Sequence, residues 1–252
     1  NYSEHDNQST INDIGYRASF DYRPTPHHHL RFGHDFTFHH YRPQGSNHIY
    51  IDKNGGRSDT LQSHTASRLT ATEWNAYAED EIRLNHRWSL NGGINVALFH
   101  IQGKTFASAD QRAAIKCQVS PRLSLKASYT TMTQFVHKIS NAYIDLPSDD
   151  WVPTTRRLHP MHSQQWASGI YMQPDKHWLL SLEGYYKCSS HLLQYTNWIG
   201  LQPPADSWDT KVNEGKGRFF GLEFDAHYAA HRLQLDASYT LSWNKRKFDD
   251  YY

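Results

Sequence analysis

The residues best equipped for chemistry are the eighteen histidines of this 252-residue chain, among them His27 to His29, His39, His40, His159 and His162. An imidazole binds transition metals or relays protons, but a metal site needs several ligands converging at fixed distances. There is no HExxH run and no paired-cysteine spacing. A loop site for a metal or a haem-like substrate stays open, because convergence of ligands is not legible in a sequence, but polar surface and periplasmic-turn histidines are the favoured reading, and no metal ligand or cofactor is assigned.

Other short motifs fail on their spacing. "DKNGGRSDT" resembles a calcium loop through Asp52, Asn54 and Asp59, yet Gly56 stands one place off the required turn position and Ser63 replaces the bidentate Glu. "EGKGRFFG" carries Gly215, Gly217 and Gly221, but the spacing differs from GxGxxG and no helix follows, so these glycines shape the passage from loop to strand. There is no GxSxG nucleophile turn. Asp149 and Asp150 pair two carboxylates in a loop with no supporting groups in view. The chain is read as a non-enzyme with no catalytic residues.

Binding is better served by "ISNAYIDLPSDDWVPTTRRLHPMHSQQ", residues 139 to 165, and by the stretch around Trp198 and Trp208. Rings with a few charged partners recognise many kinds of solute. Tyr143, Trp151, Arg156, Arg157, Trp198 and Trp208 are the candidate ligand contacts. Within the first stretch, anchoring of the loop by Tyr143 and Trp151 is favoured over cargo contact, and the two arginines suit a ligand or lipopolysaccharide.

The elements that must hold these residues follow from composition and periodicity. Mean hydropathy is −0.79, yet 8 Trp, 16 Tyr and 11 Phe are too many rings for a disordered chain. A net charge of +1 without a basic stripe gives no support for nucleic acid as a partner. No apolar run approaches the roughly 20 residues of a spanning helix, which leaves barrel strands open because they hide apolarity in alternation. Cys117 and Cys188 each read as a small residue on a strand face, unpaired.

Ile14, Tyr16, Ala18, Phe20 and Tyr22 alternate with Gly15, Arg17, Ser19, Asp21 and Arg23, a period of two. The same test marks residues 30–38, 72–84, 88–101, 111–119, 123–134, 164–173, 178–189, 218–228 and 233–243, about ten strands in all. Many exceed the usual 5–6 residues and match the ~9–11 of a tilted bilayer crossing. Short connections at "RPTPHHH", "NHRW", "SPR", "QPDKH" and "AAHR" alternate with long ones at 43–70, 135–163 and 190–217 and a modest one near 103–110. Short turns on one side and long loops on the other describe an all-β, antiparallel, up-and-down transmembrane β-barrel, with periplasmic turns and extracellular loops. Tyr22, Trp74, Trp88, Trp166, Trp178, Tyr228 and Trp243 would form its interfacial girdles, and the charged offset residues would line a wet or plugged lumen. Residue 1 falls in an expected long loop and the chain stops after an up-going strand, so it is expected to be a piece of a larger barrel.

The run "SLKASYTTMTQFVHKISNAYIDLPSDDWVPTTRRLHPMHSQQWASGIY" resembles the mid-barrel region of TonB-dependent outer-membrane receptors of Bacteroidetes type. The match rests on Ser128, Tyr129, Met132 to Gln134, Val136, His137, Leu146 to Pro153, Pro160, Ser163, Gln165 and Gly169, and continues through "LEGYYKCSSHLLQY", "WDTKVNEGKGRFFGLEF" and "LDASYTLSWNKRKF". The resemblance implies that residues 1–252 are part of a 22-stranded barrel whose plug domain and closing strands lie outside the sequence. It implies energised uptake of a scarce solute such as a siderophore, haem, corrinoid or glycan. Its partners would be outer-membrane lipid and lipopolysaccharide, and the TonB complex through the plug. The competing readings are a passive porin or barrel enzyme of the outer membrane, and a secreted β-sandwich carbohydrate-binding module.

Overall fold

The computed structural model describes residues 2–52, 57–63, 68–139, 150–195, 208–210 and 212–248. Its strands are β1 (Tyr2–Thr25), β2 (His28–Asp52), β3 (Arg57–Ser63), β4 (Leu69–Arg83), β5 (Trp88–Ile101), β6 (Lys104–Ser120) and β7 (Leu123–Gln134). These are followed by β8 (Val136–Ile139), β9 (Asp150–Pro153), β10 (Met161–Met172), β11 (Trp178–Tyr195), β12 (Val212–Ala230) and β13 (Leu233–Phe248). One antiparallel meander runs β1-β2-β4-β5-β6-β7-β10-β11-β12-β13, with β3 paired to β2, and β8 and β9 form a separate hairpin. The ten strands of that path match the alternation in the sequence. Among the described residues no helix is long and apolar enough to cross a membrane.

The strands are longer than the alternation suggests. β1 already begins at Tyr2, β2 continues to Asp52, and β6 opens at Lys104, so the modest connection expected near 103–110 is strand. The true turn there is Gln102-Gly103, both at positive φ (50° and 72°), the pair that a two-residue hairpin of matching twist requires. β11 likewise extends to Tyr195 and β12 starts at Val212, inside the span expected as a loop. Backbone pairing continues beyond the bilayer, but the apolar side of the period-two pattern exists only where one face meets lipid.

The outward face carries that apolar side. Ile14, Phe20, Ile94, Leu98, Ile170, Leu182, Leu222, Leu235 and Leu241 are all exposed. Register aligns Tyr129, Trp166, Tyr186, Phe220 and Trp243 in one row across five strands, with neighbouring ring centroids 5.1 to 6.3 Å apart. A second aromatic pair, Trp178 and Tyr228, meets at 4.8 Å near the short turns. Trp178 and Tyr186 are eight residues apart on β11, about 27 Å of strand, or about 20 Å of depth at a ~40° tilt. That depth is close to the roughly 25 Å apolar band of outer-membrane barrels. Cys117 and Cys188 are free and half-buried.

The opposite face is charged and paired. Arg17 lies 3.8 Å from Asp35, Arg112 lies 3.5 Å from Glu79, and Arg31 also bonds Glu79. Asn75 donates to Asp35 at 3.0 Å. Paired charges of this density belong to a polar lumen, because each would be costly in lipid.

The hairpin of β8 and β9 folds onto the inner side at the loop end. Phe135 stacks on Phe99 at 4.9 Å and 3°. Ile139, Val152 and Leu158 join Tyr41, Leu69, Ala97, Ile101 and Phe106 in a buried cluster. β9 touches β1 and β2 while β8 touches β11. Those flanks are separated by six strand intervals, about 29 Å in a flat sheet, so a narrow hairpin reaches both only because the sheet curls around it.

Substituting Leu182→Arg, midway between the two aromatic levels, should hinder membrane assembly by about 2–4 kcal/mol, whereas Leu235→Arg beside Tyr228 should cost only about 0–1 kcal/mol. Heat-modifiable migration of folded barrel in gels measures the difference, and equal effects would place the bilayer elsewhere. Phe135→Ala should cost the hairpin about 3–5 kcal/mol of docking. Hydrogen exchange at Val136–Ile139 should then accelerate while β5 and β6 stay protected.

Candidate functional site

The loop end of the sheet assembles the candidate site. A two-stranded hairpin of four residues a side is marginal alone, so its shape depends on anchors. The Thr154 amide donates to the Phe135 carbonyl at 2.7 Å, and the Thr155 amide donates to the Leu158 carbonyl at 3.2 Å. The Thr155 hydroxyl accepts from the Arg157 and Leu158 amides and donates to Asp209 Oδ2, each at 3.2 Å. That hydroxyl turn is a local alternative to regular structure. It also ties the segment to the one-turn 3-10 helix Trp208–Thr210.

Three of the six candidate residues share this arm. Trp151 is 45% exposed while Val152 behind it is fully buried, so Val152, Thr154 and Thr155 hold the segment and part of the Trp151 indole faces solvent. Arg156 and Arg157 are exposed. The Arg156 amide donates to Gln102 Oε1 at 3.2 Å and its carbonyl accepts from Lys104 at 3.4 Å, which seats the arginines beside the β5–β6 turn. Trp208 opens the tethered 3-10 turn. Tyr143 and Trp198 lie outside the described residues.

The histidines divide by location. Near the short turns, His28 meets Asp80 and His29 meets Asp21, both at 2.7 Å, as turn residues do. His39 departs from the surface reading: it is 7% exposed, bonded to Asp13 at 2.8 Å and stacked on Tyr41 at 5.4 Å. At the loop end, His159 and His191 converge on Glu214. The Glu214 carboxylate accepts from the His159 amide at 2.6 Å and lies 3.2 Å from the His159 ring and 2.6 Å from that of His191. Burial would raise the Glu214 carboxyl, but the His159 amide and the His191 ring hold it below the usual carboxylate range. Beneath them His137, 3% exposed, pairs with the Thr154 hydroxyl at 3.1 Å. Burial pushes its imidazole down to about 4 despite the pull of Glu214, so it is neutral at physiological pH.

Sequence reading had no means of grouping His191 and Glu214 with His159. They lie 23 and 55 residues apart from their partners, and only the β11–β12 register, in which Leu193 faces Glu214, brings them together. His162, in contrast, bonds Thr133 at 3.3 Å.

This architecture has known counterparts. The FrpB iron transporter of Neisseria meningitidis (F3-3 variant) is similar over 96% of this chain and 36% of its own, with 16% identity and a TM-score of 0.65. The copper transporter OprC matches over 95% and 38%, with 14% identity and a TM-score of 0.67. The ferripyoverdine receptor of the Pseudomonas aeruginosa outer membrane matches over 98% and 34%, with 14% identity and a TM-score of 0.58. At these identities the likeness concerns the fold, and the chain spans a little over one third of the length of the first two structures. No curated protein sequence matches it. A family profile described as "TonB dependent receptor-like, beta-barrel" matches residues 1–252. The chain therefore belongs to the TonB-dependent receptor-like β-barrel family of outer-membrane proteins.

Proposed function

We propose that this chain forms part of the barrel wall and the extracellular cap of a transporter that takes up a scarce small solute with energy from the TonB complex. The observation that carries the reading is the hairpin folded onto the charged inner side at the loop end. A solute arriving from outside would meet Trp151, Arg156 and Arg157 before reaching the lumen. β1 and β13 each present one unpaired edge among the described residues. Lipid cannot satisfy such an edge, so further strands complete the barrel, and a plug outside this chain contacts TonB. Of the cargo classes that suit rings and charges, metals and metal chelates come first, since the similar structures include an iron transporter, a copper transporter and a ferripyoverdine receptor.

A porin also folds a loop inward, but passive flux needs no energy source. Uptake of radiolabelled iron chelates and copper by cells carrying the intact receptor should stop when TonB is removed, and uptake that persists would favour the porin. A sandwich module buries apolar faces between two sheets, whereas here the apolar face is exposed on a single curled sheet.

In a cysteine-free background, a single cysteine at Gln102 should react with an impermeant label on intact cells. One at His86, in a short turn, should react only after the outer membrane is opened. The reverse pattern would invert the orientation. Trp151→Ala and Arg156→Ala should each weaken cargo binding by about 1–2 kcal/mol, a 5- to 30-fold rise in Kd, without altering barrel migration in gels.

A further inference from the structure

We infer that His159, His191 and Glu214 form a binding site for a divalent first-row transition metal on the extracellular rim. One ring nitrogen from each histidine and one carboxylate oxygen all lie within 4.8 Å of one another. Bonds of about 2.0–2.1 Å in a tetrahedral site place ligand atoms about 3.3 Å apart. Glu214 Oε2 lies 2.6 Å from the His191 ring and 3.3 Å from that of His159, so these contacts need about 1 Å of adjustment or less, and side-chain rotation would close any pair as far apart as the 4.8 Å bound. The donor set, two imidazoles and a carboxylate, suits zinc and its neighbours rather than calcium or magnesium, which prefer all-oxygen shells.

Two features beyond proximity point to a built site. His191 occupies the bulge between Ser190 and Leu192 with a positive φ of 57°. A non-glycine residue bears that conformation at a cost, and a bulge re-aims a side chain. The carboxylate is also pre-oriented, because the His159 amide fixes one oxygen at 2.6 Å and leaves the other toward the rings. With three protein ligands and His159 52% exposed on its side chain, a fourth position faces solvent and would take water or a donor atom of a solute. The ion would also clamp the end of the loop at His159 to β11 and β12.

The test uses the intact receptor in detergent, stripped with chelator and titrated with zinc against a chromophoric indicator. One saturable ion per chain is expected, and His191→Ala and the isosteric Glu214→Gln should each weaken it by at least the ~10- to 100-fold that losing even an outer-shell partner costs. His227→Ala, whose ring bonds Asp236 elsewhere, should bind as wild type, and heat-modifiable migration verifies folding of every variant. Zinc should also slow hydrogen exchange at Arg157–His159 in the wild type alone. Unchanged affinity in Glu214→Gln, or the absence of a saturable site, would reduce the trio to a hydrogen-bonded cluster. The measurement involves no transport, so its failure leaves the uptake reading standing, and failure of uptake leaves this one.

Discussion

Backbone hydrogen bonding in a solvent that offers none is the constraint on which this molecule depends. In lipid every N–H and C=O must find a protein partner, and a curled antiparallel meander is the form that supplies one strand after another. Register is then strictly specified, because a one-residue slip would exchange the lipid-facing and lumenal sets. The row from Tyr129 to Trp243 across five strands shows how closely it is kept. The ion pairs of Arg17 with Asp35 and of Arg112 with Glu79 lie on the opposite face for the same reason.

Above the bilayer the constraint relaxes and a different force takes over. Water can satisfy the backbone there, so the loop between β7 and β10 is free to leave the sheet, and apolar burial decides where it goes. Phe135, Ile139, Val152 and Leu158 bury against Tyr41, Phe99, Ile101 and Phe106, apolar residues on an inner face that is otherwise charged. Hydroxyl and amide contacts through Thr154 and Thr155 fix the arm that carries Trp151 and the two arginines. The candidate site is thus an exposed arm held on a sheet scaffold, the usual division of labour between sheet and loop.

The same end of the molecule explains the grouping of His159, His191 and Glu214. A strand continued above the membrane has no lipid to dictate its side chains, so a bulge at His191 is tolerated and a carboxylate can stand between two imidazoles. His137 below them is buried and bonded to the Thr154 hydroxyl, which ties this cluster to the hairpin.

The class, the strand number and the lipid-facing residues were written into the sequence, because period-two alternation and the sorting of short and long connections are local consequences of a membrane on one face. Strand ends were not legible, since the alternation fades where pairing continues without lipid, as at β1, the start of β6 and the end of β11. The sequence also singled out the loop of residues 139–165 and favoured Tyr143 and Trp151 as its anchors; in the structure Val152 is fully buried, the Trp151 indole is 45% exposed, and Tyr143 lies outside the described residues. The burial of Val152 was not legible locally, because which side of a short hairpin faces the wall depends on the curl of the whole sheet. Likewise His159, His191 and Glu214 are scattered along the chain, and strand register, a long-range property, is what makes them neighbours.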